Sequence, residues 1–189
     1  MIRIGIIGDI GSGKTFVANN FGFPVFNADY EVSLLYKKNK NIYFQLKKKL
    51  PKFIFSFPIK KSEIIKAVLS NKKNLKKIIN IVHKEIRKKL YLFLKKNKNS
   101  KIVILDIPLL IENKINNKND ILVFVDSKKK DILKKIKERP NYNTELLNIF
   151  RKIQLEPKYK KKKSHFIIKN TFIKKPVKIE IKKILNKIL

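Results

Sequence analysis

Cysteine is absent from this chain of 189 residues, which excludes disulfides, thiolate metal sites and a cysteine nucleophile. Long apolar runs are missing too: no segment approaches the stretch of about 18 uncharged apolar residues that a membrane-spanning helix needs. The chain begins directly with a short strand pattern, so we expect no signal peptide. Together these absences predict a soluble, cytoplasmic protein without a membrane partner.

Acidic residues are few: 14 Asp and Glu stand against 47 Lys and Arg, for a net charge of +33. A charge of this size is typical of proteins that bind nucleic acid or membrane surfaces. However, the lysines are spread along every predicted helix, as a general bias toward Lys, Asn and Ile would produce. We therefore expect no dedicated nucleic-acid partner, and a field that attracts small anionic substrates.

Arginine is scarce within this basic chain, with four residues at Arg3, Arg87, Arg139 and Arg151. Arginine presents a planar fork that binds phosphate in a bidentate manner, which lysine cannot do. Each of these arginines has two interpretations: it occupies a position that requires this planar fork, or it lies by chance on a solvent-exposed face.

Glycine is also scarce, and its placement is informative. The 5 glycines all lie in the first 22 residues, at Gly5, Gly8, Gly11, Gly13 and Gly22. Glycine lets the backbone approach a phosphate closely. The chain therefore concentrates its conformational freedom around one loop, as phosphate binding requires.

That loop fits a known motif. Residues 8–15 read Gly-Asp-Ile-Gly-Ser-Gly-Lys-Thr and match G-x-x-x-x-G-K-[ST], the phosphate-binding loop of P-loop proteins. An apolar strand over 1–7 precedes it and a helix over 16–21 follows it, as the motif requires. Lys14 would reach the β- and γ-phosphates and Thr15 would hold Mg²⁺. The residues predicted to bind the nucleotide phosphates are Gly8, Gly11, Ser12, Gly13, Lys14 and Thr15.

Apolar runs predict four more strands, separated by helical patterns; they cover 24–27, 102–106, 121–126 and 166–168. Strands that alternate with helices indicate an α/β fold with a five-stranded parallel sheet in a three-layer α/β/α arrangement. The length suits a single domain over 1–189. We expect its core at 1–29, 99–137 and 164–189, a helical insertion at about 30–98, and a basic lid at about 138–163.

Two carboxylates follow predicted strands, at the sheet edge where ligands bind in parallel α/β proteins. Asp29 follows the second strand and is either a catalytic group facing the loop or the N-cap of the next helix. Asp106 ends the third strand, where P-loop proteins place a second carboxylate on the metal. Ser127 is predicted to cap a helix that ends at Arg139, because Pro140 cannot continue it.

The helical insertion reads as a platform for a second substrate. His83 and Arg87 are four residues apart, so they share one face of a helix. His83 is either a ligand contact or an ordinary half-packed histidine.

Six segments of the chain match the motifs of one known family. The first is the loop at 8–15, and the others are Asn27-Ala28-Asp29, Ile59-Lys60-Lys61, Val82-His83-Lys84, the run from Asp106 through Pro108-Leu109-Leu110 to Glu112, and Gln154 followed by Phe166-Ile167-Ile168-Lys169-Asn170. Together these segments resemble the dephospho-CoA kinase family almost from end to end, with Lys61 at a family arginine and Lys84 at a family proline.

The resemblance implies a P-loop kinase fold and transfer of the γ-phosphoryl group of ATP to the ribose 3′-hydroxyl of dephospho-coenzyme A. It implies Mg²⁺ at Thr15 and Asp106, and catalytic roles for Asp29, Lys14 and the lid arginine Arg139, with Arg151 as the alternative. It adds Phe16 and Asn170 to the nucleotide site. The implied acceptor residues are Asp29, Lys61, His83, Arg87, Pro108, Leu109 and Leu110.

Two other functions share some of these features. A nucleoside monophosphate kinase would have the same loop and lid with a different acceptor pocket. A basic nucleic-acid-binding NTPase would show DNA- or RNA-stimulated ATPase activity and salt-sensitive oligonucleotide binding.

Overall fold

A computed structural model describes residues 1–139 and 142–189, and its described strands form one parallel sheet. The strand order is β2-β3-β1-β4-β5, and every pairing is parallel. The strands are β1 (Ile2–Gly8), β2 (Val25–Asn27), β3 (Ile102–Asp106), β4 (Ile121–Asp126) and β5 (Phe166–Lys169). The predicted α/β fold with five parallel strands is confirmed.

Helices connect β1 to β2, β2 to β3 and β4 to β5, a further helix follows β5, and the described residues between β3 and β4 form turns. The helices are α1 (Lys14–Asn19), α2 (Ala28–Lys38), α3 (Lys40–Lys49), α4 (Lys61–Ser70), α5 (Lys72–Lys96), α6 (Lys129–Lys137), α7 (Thr144–Lys152), α8 (Pro157–Lys163) and α9 (Lys174–Ile188). Helix α6 ends two residues before the predicted Arg139. Pro140, invoked to stop it, lies outside the described residues.

The chain forms two compact units. The sheet unit comprises Met1–Asn27, Asn97–Tyr142 and Arg151–Leu189, and the helical unit comprises Ala28–Lys96 and Asn143–Phe150. The first therefore holds all five strands with α1, α6, α8 and α9, and the second holds α2 to α5 and most of α7. The division into core, insertion and lid stays a prediction.

The core of the sheet unit is built from apolar strands that are buried throughout. Ile4 in β1, Ile104 in β3 and Ile168 in β5 are fully buried. Strands read as continuous apolar runs when helices cover both faces of a parallel sheet. Helix α1 contributes Val17 and Ala18 to the same cluster, and α9 contributes Val177, Ile181 and Ile184.

Arg3 shows what one of the scarce arginines does. Its Nε lies 3.0 Å from Oδ1 of Asp120, and its Nη2 donates to Oδ2 at 3.0 Å. Burial raises the pKa of the Asp120 carboxyl, while the Asn117 N–H and the Arg3 charge oppose that rise. This arginine therefore pairs its guanidinium with an internal carboxylate, which is a structural role.

The helical unit is organised along α5, which buries one apolar stripe. Its core residues recur at helical spacing and are Leu75, Ile78, Val82, Ile86 and Leu90. Asn74 is buried and donates to the carbonyl of Ala67 at 2.9 Å, which ties α5 to α4. The non-helical segment over 50–60 contains Pro51 and Pro58.

Asparagines set two boundaries that the apolar pattern does not reveal. Asn39 caps α3 by accepting from the Ile42 N–H at 3.0 Å. Asn71 separates α4 from α5 and accepts from the Lys73 N–H at 2.8 Å.

Within the described residues, the helices are all too short or too polar to cross a membrane.

The prediction that Ser127 caps α6 is wrong. The N-cap of α6 is Lys128, which makes no capping bond with its side chain. The Ser127 hydroxyl instead donates to the carbonyl of Ser12 at 2.9 Å. The tertiary partner thus takes precedence over the local one, because the Ser12 carbonyl of the glycine-rich loop lies within hydrogen-bonding reach of this side chain.

Asp29 is not the N-cap of its helix either. Helix α2 begins at Ala28, so the carboxylate lies one residue inside the first turn, together with Glu31. Acidic residues are favoured there because the helix dipole is positive at its N-terminus. The interpretation of Asp29 as the N-cap is therefore wrong, because the residue lies inside the helix.

Candidate active site

The phosphate loop follows β1 directly, and its glycines are required by packing. Gly13 has φ 83°, and a Cβ at this position would lie 2.3 Å from Nδ2 of Asn170. A Cβ at Gly8 would lie 2.7 Å from Oγ of Ser12 and 2.9 Å from the carbonyl of Val125. Any other residue at either glycine would push the loop away from the elements behind it.

The carbonyl of Ser12 is held from outside the loop. It accepts from Ser127 Oγ at 2.9 Å and from Asn170 Nδ2 at 2.8 Å. Asn170 is 2% exposed, and its Oδ1 accepts from the Phe172 N–H at 2.9 Å. In a planar trans peptide the C=O and N–H point in opposite directions, so holding the carbonyl fixes the direction of the following N–H, that of Gly13. Asn170 therefore supports the loop from behind.

Lys14 lies at the start of α1 with its ammonium folded back over the loop. Its Nζ donates to the carbonyl of Asp9 at 2.8 Å. Ser12 Oγ is buried and has no hydrogen-bond partner among the described residues. A buried hydroxyl of this kind, in a glycine-rich loop that leads into a helix N-terminus, fits a loop built to take an oxyanion.

Thr15 and Asp106, the two residues predicted to hold Mg²⁺, are hydrogen-bonded to each other. Thr15 Oγ1 donates to Oδ2 of Asp106 at 2.6 Å, and Asn27 Nδ2 donates to the same oxygen at 2.7 Å. The β2–β3 register pairs Asn27 with Asp106 at the carboxyl ends of the strands. Asp106 is 3% exposed. One hydroxyl and one carboxylate suit Mg²⁺, which takes its remaining ligands from phosphates and water.

Four predicted acceptor residues belong to the helical unit. Asp29 is exposed in the first turn of α2, directly after β2, and Lys61 is the exposed first residue of α4. His83 and Arg87 share one face of α5, as predicted. Burial, and next the charge of Arg87, lower the pKa of the His83 imidazole.

The segment over 108–110 divides between surface and core. Leu110 is 1% exposed, and its side chain packs over Gly5, where a Cβ would lie 2.5 Å from Leu110 Cδ2. Pro108 and Leu109 are half-buried, and Leu109 has φ 58°. The Leu110 side chain therefore serves the core, which leaves Pro108 and Leu109 as the more accessible members of this segment.

The two arginines proposed for a lid differ in their surroundings. Arg139 is exposed just after α6. Arg151 is exposed on α7 and borders a cavity of about 470 Å³ that Asp9 of the phosphate loop also lines.

Sequence reasoning missed Lys160. It lies in a basic run on α8 and is expected to be solvated, yet it is 2% exposed. Its Nζ contacts the carbonyl of Gly8 at 3.1 Å, Glu112 Oε1 at 3.2 Å and Gln154 Oε1 at 3.1 Å. The only signal in the sequence is indirect, because Glu112 and Gln154 belong to family-like segments without an assigned role.

A parallel sheet with a phosphate loop and a Thr–Asp pair at its carboxyl edge defines a P-loop kinase. Residues 2–175 match the family model described as dephospho-CoA kinase. The chain therefore belongs to the dephospho-CoA kinase family, as its sequence motifs predict.

Individual relatives agree with this assignment. A dephospho-CoA kinase of Wolbachia sp. subsp. Brugia malayi is 34% identical over 188 residues, covering 97% of this chain and 96% of the relative. One from Wolbachia pipientis wMel is 35% identical over 188 residues with the same coverage. The structure of dephospho-CoA kinase from Campylobacter jejuni superposes with a TM-score of 0.62 at 25% identity, covering 98% of this chain and 96% of that one.

Proposed function

We propose that this chain transfers the γ-phosphoryl group of ATP to the ribose 3′-hydroxyl of dephospho-coenzyme A, the last step of coenzyme A biosynthesis. The observation that carries the proposal is the phosphate loop with its Thr15–Asp106 pair in a chain that matches this family over residues 2–175. The reaction needs little covalent chemistry from the protein, so positioning and charge supply most of the rate.

The phosphate half of the reaction falls to the loop. Backbone N–H groups of the loop and the N-terminus of α1 bind the phosphate oxygens. The ammonium of Lys14 offsets the charge of the transferring phosphoryl group. Thr15 and Asp106 would hold Mg²⁺, which neutralises charge on the β- and γ-phosphates when bound. Phe16 and Asn170 complete the nucleotide site.

The acceptor half falls to residues that follow β2 and β3 and to the helical unit. Asp29 accepts the proton of the ribose 3′-hydroxyl or orients that hydroxyl for attack. The positive charges of Lys61 and Arg87 suit the phosphates of the acceptor, and His83 adds a hydrogen-bonding group beside Arg87. Pro108 and Leu109 supply an apolar edge, which Leu110 supports from the core.

A basic lid over about 138–163 closes the reaction off from water. One arginine of this segment, Arg139 or Arg151, would clamp the phosphates when the lid closes. The site thus takes ATP and a small anionic substrate, and the charge of +33 raises the local concentration of both. We place the enzyme in the cytoplasm, with no dedicated nucleic-acid partner.

A coupled assay of ADP release tests the proposal. ATP is supplied with dephospho-coenzyme A, with each nucleoside monophosphate, or with DNA or RNA, and the Lys14→Ala variant serves as the inactive control. Of these additions, we expect only dephospho-coenzyme A to support turnover with ATP. Faster turnover with a nucleoside monophosphate would identify a different kinase, and stimulation by DNA or RNA would identify a nucleic-acid-dependent NTPase.

A further inference from the structure

We infer that Lys160 is a positioning residue for the phosphate loop, and that Glu112 and Gln154 hold its ammonium in place. The inference rests on the proposed nucleotide site, and it assigns a role to three residues that the proposed reaction leaves unused. All three lie in the sheet unit with the loop.

Lys160 is a buried charge whose donors are all used. An ammonium has three N–H donors, and Nζ has three acceptors within 3.2 Å: the Gly8 carbonyl, Glu112 Oε1 and Gln154 Oε1. The side chain is 3% exposed and that of Glu112 is 9% exposed. Burying an ammonium is costly unless it is paired and hydrogen-bonded. Here three converging acceptors offset that cost, and one of them is the phosphate loop itself.

The contact with Gly8 reaches the first peptide of the phosphate loop. Because C=O and N–H are antiparallel across a trans peptide, an ammonium on the Gly8 carbonyl directs the Asp9 N–H the other way. The next carbonyl, that of Asp9, carries the ammonium of Lys14 at 2.8 Å. Lys160 therefore fixes the orientation of the Gly8–Asp9 peptide, which directly precedes the carbonyl that the Lys14 ammonium contacts.

The loop is then held at two points. Lys160 holds its beginning at Gly8, and Ser127 with Asn170 holds its middle at Ser12. A loop held in this way has little conformational entropy left to lose when the nucleotide binds. Removing one support weakens nucleotide binding without removing any group that contacts the ligand.

The same ammonium links the loop to two other segments. Glu112 also accepts from the Leu155 N–H at 3.1 Å, so the segment after β3 is tied to the turn between α7 and α8. Gln154 lines both the cavity of about 470 Å³ beside Asp9 and a second cavity of about 680 Å³ that Glu112 also lines. The network therefore joins the start of the loop to the turn that follows α7.

The test removes both charges together, because Lys160→Met alone would leave the buried Glu112 carboxylate without its partner. In the double variant Lys160→Met/Glu112→Gln no isolated charge remains. The matched control is Lys161→Met, the next residue on α8, whose ammonium pairs with Asp126 Oδ2 at 2.7 Å on the surface. Thermal unfolding, calorimetric binding of ATP and steady-state kinetics are measured for the parent protein, the double variant and Lys161→Met.

We expect the double variant to fold and to bind ATP about tenfold more weakly, the effect of losing a hydrogen bond to a charged group. Its kcat should also fall, while the KM for dephospho-coenzyme A and all constants of Lys161→Met stay within about twofold of the parent. A purely structural role would lower the melting temperature and leave ATP affinity unchanged in the folded protein.

A folded double variant with parental ATP affinity and kcat would overturn the inference. If the double variant does not fold, Gln154→Leu decides, because it removes one neutral acceptor and leaves the ion pair. We then expect ATP binding about threefold weaker, and unchanged binding would overturn the inference. Failure of the unmodified protein to bind ATP would instead reject the proposed function.

Discussion

Thr15 donates a 2.6 Å hydrogen bond to Asp106, a residue 91 positions later in the chain. The bond joins the first turn of α1 to the carboxyl end of β3, which pairs with the central strand β1. The register with β2 brings Asn27 to the same carboxylate oxygen. Three segments that are distant in sequence thus meet at one buried carboxylate, beside the phosphate loop.

Asp106→Asn tests this carboxylate as a metal ligand. The amide oxygen can still accept from Thr15 and Asn27, so we expect a folded protein. The loss of charge should lower turnover by about 10² and raise the Mg²⁺ concentration needed for half-maximal activity. Turnover is measured across a magnesium titration.

The matched control is Asp126→Asn, which changes the acid at the end of β4, where it pairs with Lys161 at the surface. It should leave the magnesium dependence unchanged. An Asp106→Asn enzyme with the parental magnesium titration would contradict the metal assignment.

Lys14→Ala tests the phosphate loop itself. The ammonium lies on a loop carbonyl and outside the apolar core, so the melting temperature should change little. Turnover should fall by about 10² or more, because the charge stabilises the transferring phosphoryl group. A folded variant with near-normal turnover would reject the assignment of the loop, and circular dichroism provides the check of folding.

Asp29→Asn separates catalysis from helix stabilisation. Asn cannot accept a proton at neutral pH, so a base at this position predicts unchanged ATP binding with turnover lower by about 10² to 10⁴. The lower end is expected, because loose phosphoryl-transfer transition states depend more on positioning than on a base. The loss of a favourable charge in the first turn of α2 should cost about 1 kcal/mol of stability at most.

Glu31→Gln is the control for that dipole effect, since Glu31 lies in the same turn and pairs with Lys89 at 2.9 Å. It should lose at least as much stability as Asp29→Asn, because it also breaks this ion pair, and it should keep full activity. Asp29→Asn turnover within about threefold of the parent would exclude a catalytic role for Asp29.

His83 predicts a pH dependence of stability. Its folded pKa lies below 6.5, chiefly because of burial and next because of Arg87. The unfolded state therefore binds the proton more readily, so stability is present above pH 6.5 and is lost as the pH falls below it. His83→Gln should remove this loss, which we expect to be below about 1 kcal/mol because the ring is half-exposed.

Urea unfolding at several pH values on both sides of the histidine pKa measures the effect in parent and variant. The free energy of unfolding should depend differently on pH in the two proteins only in the acidic range. If the free energies of unfolding of parent and variant changed in parallel with pH, the imidazole would have the same proton affinity in the folded and the unfolded state.

Local patterns were sufficient for the strands, most helices and the phosphate loop. Ile102–Asp106 is recognisable as a buried strand because every residue before its acid is apolar. The loop is recognisable because its chemistry needs particular residues at fixed spacing within eight positions. Boundaries set by polar side chains, such as Asn39 and Asn71, were missed because the apolar period continues across them.

The sequence by itself determined the phosphate loop, the order of the strands along the chain and the acids that follow them, because each depends on neighbours within a few residues. Only the tertiary structure decided which side chains support the loop. Lys160 resembles its lysine neighbours in composition, and its burial depends on acceptors at Gly8, Glu112 and Gln154 that the fold brings together. An ammonium is stable in the interior only where such acceptors converge, and no local pattern encodes their convergence.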